Sequence, residues 1–390
     1  MKPLGGPPTG GVEPERFEVT VATQRLRIFA ETRAFWAEVE DGIERATSTV
    51  WLSTFIYIDD LLGRDFGERL ARAAARGVDV RLLYDSRGSS EADPAFFEAL
   101  SERGVQVKCY RPWRVARFWR YFPRDHGRLL VIDDCAYTGG INWREEWLPR
   151  ERGGGDWHDV AVGVRGACVL DFRRAYELRW QEAETLGPTS DHVTEPPDAA
   201  VALLADSPHS YPVIFERMCA RIARAKQRIW IENSYCVPPR DLLNALCDAA
   251  ARGVSVKLLQ PAHTDLPIVQ TITRGEYRAW RKRKLLVYEY QPNVLHAKLA
   301  LIDDDWGTVG SFNAIAPGLW WANETNLVVQ DAGFVDALRR LFEQDLTRSE
   351  LVDAAWLARE SWAVRIWRRF AAVVYRGLER LDVLLGPRRR

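Results

Sequence analysis

The segment AAARGVDVRLL at residues 73–83 returns as AAARGVSVKLL at residues 249–259, an offset of 176 residues with nine of eleven positions identical. An internal repeat of this kind limits the chain to two copies of one supersecondary unit packed on each other. Gly77 and Gly253 stand where a helix stops, and the run after each is too apolar for a sheet with one wet face. Around the repeat, β-branched runs alternate with amphipathic segments. The pattern predicts strands at 49–58, 78–84, 105–109 and 128–133 with helices at 64–76 and 94–103, then strand 201–205, helix 212–226 and strand 228–235. The fold class is therefore α/β, with two like domains of about 170 residues.

Residues 1–16 hold too much Pro and Gly to bury a face and are expected to be a disordered leader. A first domain over 17–183, an acidic, Pro-containing linker at 184–198, a second domain over 199–350 and a basic tail over 351–390 complete the expected plan. The 54 basic residues cancel 54 acidic ones, which argues against a nucleic-acid coat protein and leaves any charged partner to local patches. Six cysteines without a CxxC pair offer neither zinc-site spacing nor a disulfide framework, and fit a reducing cytosolic setting. No apolar run reaches the roughly 18 residues of a spanning helix, and no hydrophobic stretch follows Lys2.

The chemistry is concentrated downstream of each copy. The first reads His126-Gly127-Arg128, then Asp133, then Gly139-Gly140-Ile141-Asn142; the second reads His296-Ala297-Lys298, then Asp303, then Gly310-Ser311-Phe312-Asn313. On a strand, His and the basic residue two positions on share a face, so each copy offers an imidazole beside a fixed cation. A lone histidine on an apolar strand is usually a satisfied core residue. Two in repeat register, with matched cations and asparagines, suit a phosphodiester held between the copies: one imidazole attacks phosphorus and the other protonates the leaving alkoxide. Asn142 and Asn313 supply further hydrogen bonds to phosphoryl oxygens. A carboxylate behind each ring would orient it, and Asp159 and Glu324 are the downstream candidates.

With these residues the chain resembles the phospholipase D superfamily, whose signature is the duplicated HxKx4D followed by GGxN and GSxN. The similarity is greatest to bacterial cardiolipin synthases without N-terminal membrane spans, and includes TFIYIDDLLGRDF, TGGIN, IENSYCVPPRDLLNAL and VLHAKLALIDDDWGTVGSFN. The resemblance implies two phospholipase D-type domains, each a mostly parallel central sheet flanked by helices, related by a pseudo-two-fold with the active site between them. It implies phosphatidyl transfer from phosphatidylglycerol through a phosphohistidine, with no metal and no cofactor. The implied catalytic set is His126, Arg128, Asp133, Asn142, Asp159, His296, Lys298, Asp303, Ser311, Asn313 and Glu324, with His126 favoured as nucleophile. Arg128 stands where Lys is usual, keeping charge but presenting a planar fork. Ala314-Ile315-Ala316-Pro317-Gly318 replaces the expected D-x-x-S stretch, which leaves acceptor and headgroup choice open. Hydrolysis of a phospholipid or nucleic acid, and a silent membrane scaffold, are the rival readings.

Two stretches are expected to meet an anionic membrane. Residues 110–124, YRPWRVARFWRYFPR, interleave Arg with aromatics, a pattern that suits a lipid headgroup interface or stacking on single-stranded nucleic acid. The tail over 356–390 aligns Trp356, Ala363, Trp367, Phe370, Val374, Leu378, Leu381 and Leu385 on one stripe with Arg365, Arg369, Arg376 and Arg380 opposite, the pattern of an interfacial helix. The expected placement is peripheral, on the cytoplasmic side of the cell membrane, with phospholipids rather than nucleic acid as partners.

Overall fold

A computed structural model of the protein describes residues 17–112, 124–185, 199–207, 212–315 and 322–385. The expected leader, most of the linker, most of the Arg- and aromatic-rich stretch, and the end of the tail lie outside the described residues.

In the first repeat a hairpin of β1 (Phe17–Val21) and β2 (Gln24–Phe29) leads to α1 (Thr32–Arg45), β3 (Thr49–Thr54), α2 (Leu61–Ala75), β4 (Asp79–Asp85), α3 (Pro94–Glu102) and β5 (Gln106–Tyr110). After β6 (Arg124–Asp125) come β7 (Leu129–Ile132), β8 (Cys135–Gly139), β9 (Ala161–Arg165) and α4 (Val169–Thr185). The second repeat runs β10 (Val201–Asp206), α5 (Val213–Arg224), β11 (Arg228–Asn233), α6 (Arg240–Ala251), β12 (Ser255–His263), α7 (Pro267–Lys282) and β13 (Leu286–Val294). It continues through β14 (Lys298–Ile302), β15 (Trp306–Gly310), β16 (Ala322–Val329), α8 (Ala332–Thr347), β17 (Ser349–Leu351), α9 (Ala354–Ala358) and α10 (Trp362–Leu385).

The repeated segment is a helix end and a strand in both copies, with Gly77 at φ +87° and Gly253 at φ +95° taking the left-handed turn after α2 and α6. The strand orders are β1-β2-β9-β8-β7-β3-β4-β5 and β10-β16-β15-β14-β11-β12-β13-β17. The α/β class holds, but the sheets are mixed rather than mostly parallel. Along these two strand orders, parallel pairing is confined to β3-β4-β5 and β11-β12-β13. The strands after each histidine form hairpins instead, because only Asp133 and Asp134 separate β7 from β8, too few residues for a crossover helix.

The repeats bury a common core: Leu129, Val131, Val162 and Tyr176 of the first meet Leu299, Leu301, Val309 and Leu338 of the second in one cluster. Each such apolar side chain contributes about 1.5–3 kcal/mol by leaving water, so the pair is held as a single body. Backbone pairing stitches the halves beside both histidines. β6 pairs in parallel with β16 across the repeats, Asp125 opposite Asn323, and a bridge joins His158 to Leu295.

The tail helix differs from its expected pattern. α10 crosses α7 closely at Gly275, where a Cβ would lie 2.2 Å from the Arg368 carbonyl oxygen. Ala372 and Tyr375 are buried there, and Arg376 is drawn inward to Glu276 and Glu379 at 3.1 and 2.8 Å, off the predicted polar face. Trp356 belongs to α9, edge-on to Tyr277 at 5.9 Å, and not to the stripe. Trp362, Trp367, Phe370 and Leu378 are exposed.

Candidate active site

Each histidine stands just before a hairpin strand, His126 ahead of β7 and His296 ahead of β14, which brings the two pairs to the seam between the repeats. Arg128 Nη1 lies 3.0 Å from His126 Nδ1, and Lys298 Nζ lies 2.9 Å from His296 Nδ1. All four side chains are largely withdrawn from water; His126 keeps 14% of its side chain accessible and His296 4%.

The carboxylates are exchanged between the halves. His126 Nδ1 is 2.8 Å from Glu324 Oε1 of the second repeat, and His296 Nδ1 is 2.8 Å from Asp159 Oδ2 of the first. Each Nδ1 is thereby held by a carboxylate, while each Nε2 faces its own repeat's cation, Arg128 Nη1 at 3.1 Å and Lys298 Nζ at 3.0 Å. The flanking small residues make this possible. A Cβ on Gly140 would sit 2.2 Å from Asp159 Oδ1, and one on Gly127 would sit 2.4 Å from Arg179 Nη1. At the place of Gly140 the second copy has Ser311, whose hydroxyl donates to Glu324 Oε2.

The electrostatics of the two pairs differ. Burial, then Arg128 and Lys298, hold His126 well below the ordinary imidazole range. Burial and Lys298 bring His296 down to about 4, opposed by Asp159. Burial would raise Asp159, but His296, Lys298 and the indole of Trp147, which donates to Oδ2 at 2.7 Å, bring it below the usual carboxylate range. Burial wins at Glu324, pushing it up to about 7 against Ser311 and Arg128. Lys298 falls to about 7, chiefly through burial.

Asn142 and Asn313 border the pairs. Asn142 Oδ1 accepts from Arg128 Nε at 3.1 Å, while its buried Nδ2 has no hydrogen-bond partner among the described residues. Asn313 Oδ1 accepts from Ser234 Oγ at 3.1 Å. An orphaned amide donor beside the guanidinium that lies against His126 is what a phosphoryl oxygen would satisfy.

Asp133 and Asp303 are not brought to the imidazoles. Asp133 lies five residues past Arg128, about 16 Å along the strand direction. It occupies the β7-β8 turn at φ +46° and accepts five hydrogen bonds from Thr47, Ser48 and Thr49. Asp303, at φ +54°, likewise accepts from the amides of Lys226, Gln227 and Arg228. Their spacing in the motif is that of a hairpin strand and its turn. Sequence reasoning missed Trp147, 5.0 Å from the His296 ring, Phe55, 5.0 Å from the His126 ring, and Tyr235, whose hydroxyl donates to Asp265. Phe55 and Tyr235 follow strand ends in runs already notable in the sequence; Trp147 gave no signal.

The model of the cardiolipin synthase, PLD-like domain family matches the chain twice, at residues 39–151 and 218–346. Cardiolipin synthase B of Salmonella typhi is 32% identical over 374 residues, covering 90% of this chain and 89% of that one. A cardiolipin synthase of Geobacillus thermodenitrificans is 28% identical over 359 residues, covering 89% and 71%. Among solved structures, phosphatidylserine synthase of Haemophilus influenzae superposes with a TM-score of 0.71 at 14% identity, covering 93% of this chain and 96% of that one, a likeness of fold. No described helix is long and apolar enough to cross a membrane. On its duplicated match and on this identity over nearly its whole length, the chain belongs to the cardiolipin synthase, PLD-like domain family.

Proposed function

We propose that the chain transfers a phosphatidyl group between anionic phospholipids, making cardiolipin from phosphatidylglycerol through a phosphohistidine. The observation that carries this reading is the crossed arrangement, in which each imidazole has a cation from its own repeat and a carboxylate from the other. His126 is the nucleophile. Its Nε2 attacks phosphorus, the bond from phosphorus to the leaving glycerol oxygen breaks, and His296 gives that oxygen its proton. The primary hydroxyl of a second phosphatidylglycerol then loses its proton to His296 and attacks the adduct, breaking the P–N bond. The cycle leaves no net proton behind. The asymmetry of the carboxylates supports these roles: the imidazole beside the firmly ionised Asp159 is the easier to protonate once an anionic phosphodiester offsets the nearby cations. Arg128, Lys298, Asn142 and Asn313 bind phosphoryl oxygens; Asp159, Glu324 and Ser311 orient the rings. The domain limits at 17–183 and 199–350 follow the two repeats.

Membrane contact belongs to the same reading. α10 is docked by one face and presents Trp362, Trp367 and Phe370 outward, which suits the boundary of an anionic leaflet on the cytoplasmic side. The test is an assay on phosphatidylglycerol vesicles beside plasmid DNA. Cardiolipin should form, and rapid quench should trap a phosphorylated adduct on His126. His126→Ala should abolish the adduct, whereas His296→Ala should slow its formation and its discharge. DNA cleavage without lipid turnover, or inversion at a chiral phosphorothioate, overturns the scheme.

A further inference from the structure

Buried ion pairs of inverted charge lie beside the two histidines, Asp125 with Arg179 inside the first repeat and His158 with Asp345 across the repeats; Asp125 stands opposite Asn323, and His158 opposite Leu295. Ser53 and Glu232 occupy the fifth positions of β3 and β11, two residues after Trp51 and Trp230. Tyr176 on α4 packs on Trp51 at 5.3 Å, and Phe342 on α8 packs on Trp230 at 5.2 Å. Three residues past those rings stand Arg179 and Asp345, so the helices are in register. In the first half Asp125, the neighbour of His126, accepts from Ser53 Oγ and faces Arg179 Nη1 at 3.5 Å. Arg179 also donates to the Glu324 carbonyl at 3.1 Å, holding the backbone of the carboxylate that serves His126. Beside the other histidine, His158 of the first repeat, the neighbour of Asp159, has Nε2 3.0 Å from Asp345 and 3.6 Å from Glu232 of the second. The His158 carbonyl accepts from the His296 amide at 2.7 Å, and its own amide donates to the Val294 carbonyl at 2.8 Å.

We propose that His158, held as an imidazolium by Asp345 and Glu232, is the positioning residue that fixes Asp159 against His296, the counterpart of the Arg179–Asp125 tie at Glu324 and His126. This rests on the reaction proposed above. The charge balance supports it. Burial lowers His158, but Asp345 and then Glu232 overcome this and raise it to about 9. Its ring is stacked on Tyr290 at 5.0 Å, which fixes the ring plane. Neither Glu232 oxygen has a hydrogen-bond partner among the described residues, and burial together with Asp345 pushes its carboxyl well up. The imidazolium is matched by the carboxylate of Asp345, as a buried charge requires.

The test installs the first half's chemistry in the second. In His158→Leu, kcat on phosphatidylglycerol vesicles should fall about 100-fold with KM unchanged, the scale expected for a displaced reacting group. The NMR titration of the His296 ring should shift in the same variant. Asp345→Arg alone should be as slow. The quadruple variant His158→Asn, Glu232→Ser, Leu295→Asp, Asp345→Arg should recover to within about tenfold of the parent, since it places in the second half the counterparts of Asn323, Ser53, Asp125 and Arg179. A folded His158→Leu with parental kcat overturns the proposal. So does a quadruple variant that is unfolded, or folded and no faster than His158→Leu. One imidazole with two carboxylates is also a set that zinc accepts, and stoichiometric metal in the purified protein would overturn the imidazolium lock. An inactive parent protein counts against the proposed reaction instead, while the His296 titration still reads the lock.

Discussion

At the scale of single residues, the signature repeated in this chain divides into groups that touch the site and groups that hold its strands. Asp133 and Asp303 have the same sequence prominence as the histidines, yet each is occupied by backbone amides at the opposite end of a hairpin strand. Asp133→Ala should therefore cost about 2 kcal/mol of stability, a typical loss for a carboxylate bound to several donors, with kcat of the folded fraction unchanged. Burial raises the Asp133 carboxyl, but the amides and hydroxyls of Thr47, Thr49 and Ser48 prevail and hold it well below the usual range. A depressed carboxyl stabilises the fold above its unfolded value, so this contribution is present above pH about 4 and lost on acidification. Thermal melts of Asp133→Ala should accordingly converge with the parent at low pH. The cations differ in another way. Lys298 loses its charge as pH rises through about 7, so kcat/KM of the free enzyme should decline on the alkaline side. Lys298→Arg keeps the charge and should remove that decline; a limb that persists assigns the titration to another group. Arg128, at the matching place, shows that the site accommodates a guanidinium.

At the scale of elements, the repeat, its helix stops and the buried parallel strands were legible because apolar periodicity and a turn glycine act locally. The mixed sheets were not, since hairpin pairing of β7-β8-β9 depends on which strands meet after folding. The tail illustrates the same division. Its amphipathic period was readable, whereas Gly275, which lets α10 approach α7, gave no signal in sequence. The helix consequently has a protein face and an outward face, and deleting the whole tail would expose α7 as well as remove the proposed membrane contact. A cleaner variant replaces Trp362, Trp367 and Phe370 with Ser. It should fold as the parent does, turn over short-chain soluble substrate normally, and bind anionic vesicles at least tenfold more weakly, since each buried aromatic contributes about 1.5–3 kcal/mol. The blue shift of Trp fluorescence on vesicle addition should shrink. Undiminished vesicle binding would move the lipid contact away from α10.

At the scale of the whole molecule, both histidine motifs were legible, and so were Asp159 and Glu324 as candidates, but their exchange between the repeats was not. Each carboxylate follows its nearer histidine in sequence and serves the farther one in space, an outcome set by how the halves dock rather than by spacing. His158, Arg179 and Asp345 were invisible for the same reason, because a buried tie across two halves has no local pattern. The exchange makes each repeat an incomplete enzyme: the first alone lacks the partner carboxylate of His126, and the second lacks that of His296. Since the common core is buried within one chain, a defect in one half cannot be repaired by the intact half of another chain unless the repeats separate. Mixing His126→Ala with His296→Ala protein, each folded, should therefore leave turnover at the level of the single variants, whether they are combined after purification or expressed together. Recovery to an appreciable fraction of parental activity would mean that first and second repeats of different chains can dock, and the site would then belong to an exchanged dimer rather than to the single chain.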